Sequence, residues 1–182
     1  MCSSNGEVTP RLAALREAAE LARIINEAFM VEAFFKIGDR TSADEIAALM
    51  NAGGEFLVLD GGSVRGGDLS AEAQGARAEA AKRGTPVGCV YLKCQGERAY
   101  FGMLSIDPAR QRQGLGRRLI DAAEARARKR GCRAMDIHIV NLREELPAYY
   151  RRLGYVETGT LPFPDPDRAS RPCFFVVMSK PL

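Results

Sequence analysis

The chain has no apolar run approaching the roughly 18 residues that a bilayer-spanning helix requires, and its stretch from Met1 to Thr9 is polar rather than greasy. These absences lead us to expect a cytoplasmic protein with neither a signal peptide nor a membrane partner. Its five cysteines (Cys2, Cys89, Cys94, Cys132 and Cys173) are odd in number and include none of the close pairs that bind zinc. No metal site is therefore expected. Apart from an exposed Cys2, the cysteines read as small buried residues in a reducing compartment. Cys89 and Cys94 are five residues apart and would face opposite sides of one strand. A broad basic stripe is also missing. The net charge is only +3, and the basic residues concentrate between Arg110 and Arg133. That distribution suits a compact anion and argues against a nucleic-acid partner, which needs a wider basic surface with stacking aromatics. No internal repeat divides the 182 residues, enough for a single domain with its own core.

What is present reads as alternating helices and strands. Helical spacing of Leu12, Leu15, Ala18, Ala19, Ala22, Ile25 and Phe29 predicts a surface helix from Pro10 to Phe29. Met30 to Phe35 is apolar without a clear period; it either continues into the core, the favoured reading, or forms a greasy loop at a substrate mouth. Thr41 or Ser42, followed by Asp44 and Glu45, starts a short helix that ends at Gly53-Gly54. Glu55 to Leu59 is a strand. Asp60 to Gly84 is rich in glycine and alanine, with little to bury, and reads as a flexible insert or a frayed helix from Leu69 to Lys82. Pro86 to Lys93 and Arg98 to Ile106 form an antiparallel hairpin. A helix from Gly114 to about Arg130, a strand from Ala134 to Val140, a short helix starting near Pro147, and strands at Tyr155 to Thr160 and Cys173 to Ser179 complete the chain. The prolines between Leu161 and Asp167 keep that segment out of a sheet interior. The fold class is α+β, one mixed sheet flanked by helices.

The most informative stretch runs from Ser105 to Arg118. A strand stops at Asp107-Pro108, and a basic loop then leads into a helix carrying arginines where acids are usual. Cations at a helix N-terminus are unfavourable unless an external anion compensates them. A P-loop would need Gly-Lys-Ser/Thr, and here Gly116 is followed by Arg117-Arg118. A dinucleotide fingerprint would need a third glycine where Leu119 stands. The remaining pattern is Gln111-Arg112-Gln113-Gly114-Leu115-Gly116, whose glycines let backbone N–H groups converge on an anion. Arg112 and Arg117 can add charge-assisted bonds.

With Leu104 to Pro108 before it and Tyr149-Tyr150-Arg151-Arg152-Leu153-Gly154-Tyr155 after it, this stretch resembles the GCN5-related N-acetyltransferase (GNAT) superfamily. The resemblance covers roughly Phe56 to Val177, leaving the insert outside. It implies a mostly antiparallel mixed sheet of six to seven strands with about four helices, whose fourth and fifth strands splay apart. It also implies acetyl-CoA as cosubstrate and direct transfer of an acetyl group to a primary amine of a small molecule or peptide. A non-catalytic acyl-CoA-binding module is the alternative. Many such proteins form homodimers through late strands.

Site residues follow by position. The resemblance assigns the cofactor to the backbone of Leu104, Ser105 and Ile106, to Gln111, Arg112, Gln113, Gly114, Leu115, Gly116 and Arg117, and to Asn141. Asn141-Leu-Arg-Glu144 reads equally as a helix-capping box. Tyr150 corresponds to the tyrosine that protonates the departing thiolate. Asp136 corresponds to a catalytic glutamate, as general base. Alternation puts Asp136 and His138, the only histidine, on the same strand face, and His138 is the second choice of base. Arg143 could bind a carboxylate on the acceptor. Phe29 to Lys36, the insert and Leu161 to Asp167 are the expected acceptor-pocket segments.

Overall fold

The structure, a computed structural model, describes residues 9–61 and 84–182. Among these, seven strands form one sheet: β1 (Arg11–Leu12), β2 (Glu55–Asp60), β3 (Pro86–Gln95), β4 (Arg98–Ile106), β5 (Ala134–Val140), β6 (Val156–Pro162) and β7 (Phe174–Pro181). Their spatial order is β1-β2-β3-β4-β5-β7-β6, and every neighbouring pair is antiparallel except β4 with β5. Four helices accompany them: α1 (Ala18–Phe29), α2 (Ala43–Asn51), α3 (Leu115–Lys129) and α4 (Glu145–Arg152). The expected α+β architecture is present, with a seven-stranded mixed sheet between two helical layers.

Strand alternation creates those layers. In β2, Phe56 and Val58 join Leu21, Ile25 and Ile46 of α1 and α2, whereas Leu57 and Leu59 join Leu119, Ile120 and Ala123 of α3. This explains the uninterrupted Phe-Leu-Val-Leu run: both faces are covered. Burying each such side chain is worth about 2 kcal/mol. Cys89 and Cys94 lie on opposite faces, in different clusters. Helix α2 begins with the capping box its sequence suggested. The Glu45 N–H donates to Ser42 Oγ at 3.2 Å, and the Ser42 N–H donates to Glu45 Oε2 at 3.0 Å.

Several boundaries differ from the sequence expectation. Arg11-Leu12 is a strand paired with Val58 and Leu57, and a 3₁₀ turn at Leu15–Glu17 precedes α1. The helix therefore starts well after Pro10. Met30–Glu32 form another 3₁₀ turn, leaving Met30, Val31, Phe34 and Ile37 exposed and only Glu32 and Phe35 buried. The greasy-loop alternative thus describes this segment better than the core one. Helix α4 starts at Glu145 rather than Pro147. Proline is tolerated there because the first-turn N–H groups have no intrahelical acceptor. Leu161 and Pro162 pair with β7, which is permitted because β6 is the sheet edge. The possible Leu69 to Lys82 helix and Cys2 lie outside the described residues. Gly61 N–H donates to Thr85 O at 2.9 Å, extending the pairing of β2 with β3 beyond Asp60 and Pro86.

The β4–β5 junction positions the site. It pairs only Arg98 with Ala134, Ala99 with Met135 and Tyr100 with Asp136. Beyond that point β4 stays with β3 and β5 stays with β7, so the two strands diverge. In β4 the register shifts: Gly102 faces Tyr91 and Ser105 faces Cys89, leaving Met103 and Leu104 opposite the single residue Val90. Met103 takes a positive φ of 49° at this bulge.

Candidate active site

The divergence opens a cavity of about 700 Å³. One wall is β4 from Tyr100 to Ile106, without Ser105; another is β5 from Ile137 to Val140. The glycine loop, residues of and following the end of α1, and Tyr149 and Tyr150 of α4 complete the lining. The β4 edge facing β5 is free of strand pairing from Phe101 onward, so its N–H and C=O groups are available to an amide-bearing guest.

The loop begins with a 3₁₀ turn at Pro108–Arg110. Asp107 caps it, accepting from the Ala109 N–H at 2.9 Å. Gln111 Nε2 donates to Ile106 O at 3.3 Å, tying the loop to the strand. Arg112 at φ 61° and Gly114 at φ 76° both adopt the left-handed conformation, which turns the chain directly into α3. Arg110, Gln111, Arg112, Gly114, Leu115, Gly116 and Arg117 all line the cavity. Arg117 is also bonded to Asp121, one turn along the helix, at 2.9 Å; that acid offsets part of the inverted charge. Neither Arg110 nor Arg112 is ion-paired with another described residue.

Tyr150 is only 8% exposed and packs edge-on against Tyr149 and Tyr155. Burial, reinforced by Tyr149, pushes its phenol well above the ordinary value of 10.0, against an opposing pull from Arg143. His138 lies between Tyr100, with ring centroids 4.7 Å apart, and Phe175, at 5.9 Å. Burial lowers its pKa below the usual 6.5, and the neighbouring Asp136 opposes that shift. The imidazole is therefore neutral at neutral pH and able to accept a proton.

The structure brings Leu104, Ile106, the loop residues and Tyr150 together, but not every expected residue. Asp136 does not line the cavity. It sits on the last paired rung of β4 and β5, where Arg98 forks onto both its carboxylate oxygens and also donates to Ser179 Oγ at 3.0 Å. Asp136 thus lies at the closed end of the divergence, whereas His138, two residues further along β5, lines the cavity. Ser105 is buried on the opposite face, donating to Met103 O at 3.1 Å. Gln113 is not among the residues lining the cavity. Asn141 ties β5 to β7: its N–H donates to Phe174 O, and its Oδ1 accepts from the Phe174 N–H, each at 2.9 Å. It makes no capping box either, because the cap of α4 is Glu144.

Other wall residues went unnoticed in the sequence: Tyr100, Arg40 and Phe175 belong to no motif. Glu32 carried one signal, a lone acid inside the apolar run Met30 to Phe35. Leu161 to Asp167 does not reach the cavity, whereas Phe29, Val31 and Glu32 do.

Known proteins resemble this chain in part of its sequence and in fold. A family model described as Acetyltransferase (GNAT) domain matches residues 73–157. A search of curated protein sequences finds no match. Among solved structures, the ribosomal-protein-S18-alanine N-acetyltransferase of Escherichia coli superposes with a TM-score of 0.68 at 16% identity, over 95% of this chain and 92% of its own. The yncA protein of Salmonella typhimurium, solved with its cofactor acetyl-CoA, gives a TM-score of 0.65 at 20% identity, over 96% and 93%. An N-acetyltransferase of Staphylococcus aureus Mu50 gives 0.66 at 12% identity, over 95% and 97%. At these identities the likeness is one of fold. Over residues 73–157 the chain is similar to the Acetyltransferase (GNAT) domain family, and its described strands and helices share the fold of these solved acetyltransferases.

Proposed function

We propose that the protein transfers an acetyl group from acetyl-CoA to a primary amine in a ternary complex. The observation that carries this reading is the continuous cavity joining the basic glycine loop to Tyr150 along an unpaired strand edge. Its chemistry fits the cosubstrate. Arg110, Arg112, Arg117 and the N-terminal N–H groups of α3 suit phosphate oxygens, and the free β4 edge suits an amide-rich arm. When bound, acetyl-CoA supplies an acyl thioester.

The protein's own groups then provide positioning and proton transfer. The free β4 backbone orients the arm, and the N–H of Leu104 is the proposed donor to a carbonyl oxygen. His138 takes the proton that the acceptor amine must lose. Tyr150 Oη carries the proton for the leaving sulfur and, with its pKa raised, retains it throughout the working pH range. No protein nucleophile is required: Cys89 is pushed up to about 12 by burial, and among the described residues no cysteine lines the cavity.

The test is to measure acetyl-CoA binding by calorimetry and free-thiol release with an amine panel. Arg112→Ala combined with Arg117→Ala is expected to weaken acetyl-CoA binding by roughly tenfold or more, with a reduced salt dependence. Unchanged affinity would remove the loop from the assignment. Tight binding without thiol release for any amine would leave the non-catalytic acyl-CoA module as the better reading.

A further inference from the structure

The part of the cavity lined by Glu32, Arg40 and Arg143 has its own electrostatic character. Glu32 is buried there, with its carboxylate between two guanidinium groups. Arg143 Nη1 lies 3.4 Å from Oε1, and Arg40 Nη1 lies 3.9 Å from Oε2. Both distances exceed the 2.7–2.9 Å typical of a strong charged hydrogen bond, so neither arginine is saturated by Glu32. Lys36 adds a third positive charge acting on the same carboxylate. Arg143 also donates from Nε to the exposed Glu145 at 2.6 Å, which fixes its stem and leaves Nη donors toward the cavity.

Arg40 is held equally firmly. Asn26 Oδ1 accepts from the Arg40 and Thr41 N–H groups at 2.9 and 3.0 Å, and Asn26 Nδ2 donates to Thr41 O at 2.9 Å. The guanidinium lies over the Phe29 ring, 4.9 Å from its centroid. Two arginines with spare donors are thus fixed on the cavity wall, and with Lys36 they outnumber the two carboxylates, Glu32 and Glu145, by one charge. A polyamine or a lysine side chain would meet net positive charge here. An anionic group would find a fork.

We propose that the acceptor is an amino acid with a free carboxylate, which Arg143 and Arg40 hold while Glu32 keeps the two guanidinium groups apart and faces the ammonium group. This proposal rests on the acetyltransferase reading, since it names the acceptor for that reaction. Phe29 and Phe175 provide apolar walls for the remainder of the molecule.

The experiment compares the common L-amino acids with their carboxamides and with spermidine, both by thiol release in the presence of acetyl-CoA and by calorimetric binding to the whole protein. At least one amino acid should bind and react, with kcat/KM at least tenfold above that of its carboxamide. Arg143→Gln and Arg40→Gln should raise KM for that amino acid while leaving KM for its carboxamide and the acetyl-CoA affinity unchanged. Equal use of acid and amide, preference for spermidine, equal losses for both acceptors in the variants, or no amino acid binding at all would each overturn the proposal. Acetyl-CoA binding in the same samples separates the two readings: amino acid binding without acetyl-CoA binding refutes the acetyltransferase assignment and retains the carboxylate site.

Discussion

Tyr150 and Asp136 show how far a single position can be read from sequence. Tyr150 stands out through the motif around it, and in the structure it is a buried phenol at the cavity wall with its pKa raised by burial. In the proposed reaction, Tyr150→Phe is expected to lower kcat by on the order of 100-fold while acetyl-CoA affinity is retained. Calorimetry alongside steady-state kinetics checks this, and unchanged turnover across a pH series would remove Tyr150 as the acid. Asp136 is suggested by its position in the motif and by strand alternation, which fixes the face a residue occupies but not its height along a diverging strand. In the structure it lies on the closed rung with Arg98. His138, one alternation further, reaches the opening. Glu32, Arg40 and Phe175 could not be located this way, since only the folded chain brings residues so far apart in sequence to one wall.

Elements with strong local signals were legible: the β3–β4 hairpin, β5, α2 and α3. The two-residue strand β1 was hidden under the helical spacing of the residues that follow it, and its partners lie more than forty positions away in β2. Helix α3 illustrates a further contribution that local pattern cannot reveal. Its buried Glu124 accepts from Tyr155 Oη at 2.9 Å and from Lys180 Nζ at 2.8 Å, linking the helix to the start of β6 and to β7. In sequence, Glu124 looks like one more surface acid on a charged helix. Glu124→Ala should destabilise the protein by about 3 kcal/mol, because it leaves Lys180 and Tyr155 without their partner. Urea unfolding measures this, and adding Lys180→Met should recover part of the loss. A change below about 0.5 kcal/mol, as for an ordinary surface site, would show that the network does not stabilise the fold.

Across the whole molecule, paired carboxylates set the acid limit. Arg126 holds Glu55 below the ordinary glutamate value of 4.5. Burial alone would raise Glu17, but the Arg11 fork and the Ala14 N–H outweigh it and hold Glu17 low as well. A carboxylate with a depressed folded pKa contributes stability above its unfolded value and loses it as pH falls through its folded value. Urea midpoints should therefore fall progressively below about pH 4.5, and Glu17→Gln should flatten that fall. A midpoint independent of pH down to about 3 would contradict the assignment. Glu32 has the opposite sign: burial raises its pKa despite Arg40 and Arg143, so its charge at neutral pH is a stability cost located in the cavity. The strand order has a temporal consequence. Because β7 lies between β5 and β6, β6 is linked to the rest of the sheet only once β7 has paired with β5. Phe175 comes from that same strand, so the docking of β7 completes the sheet and the cavity wall together.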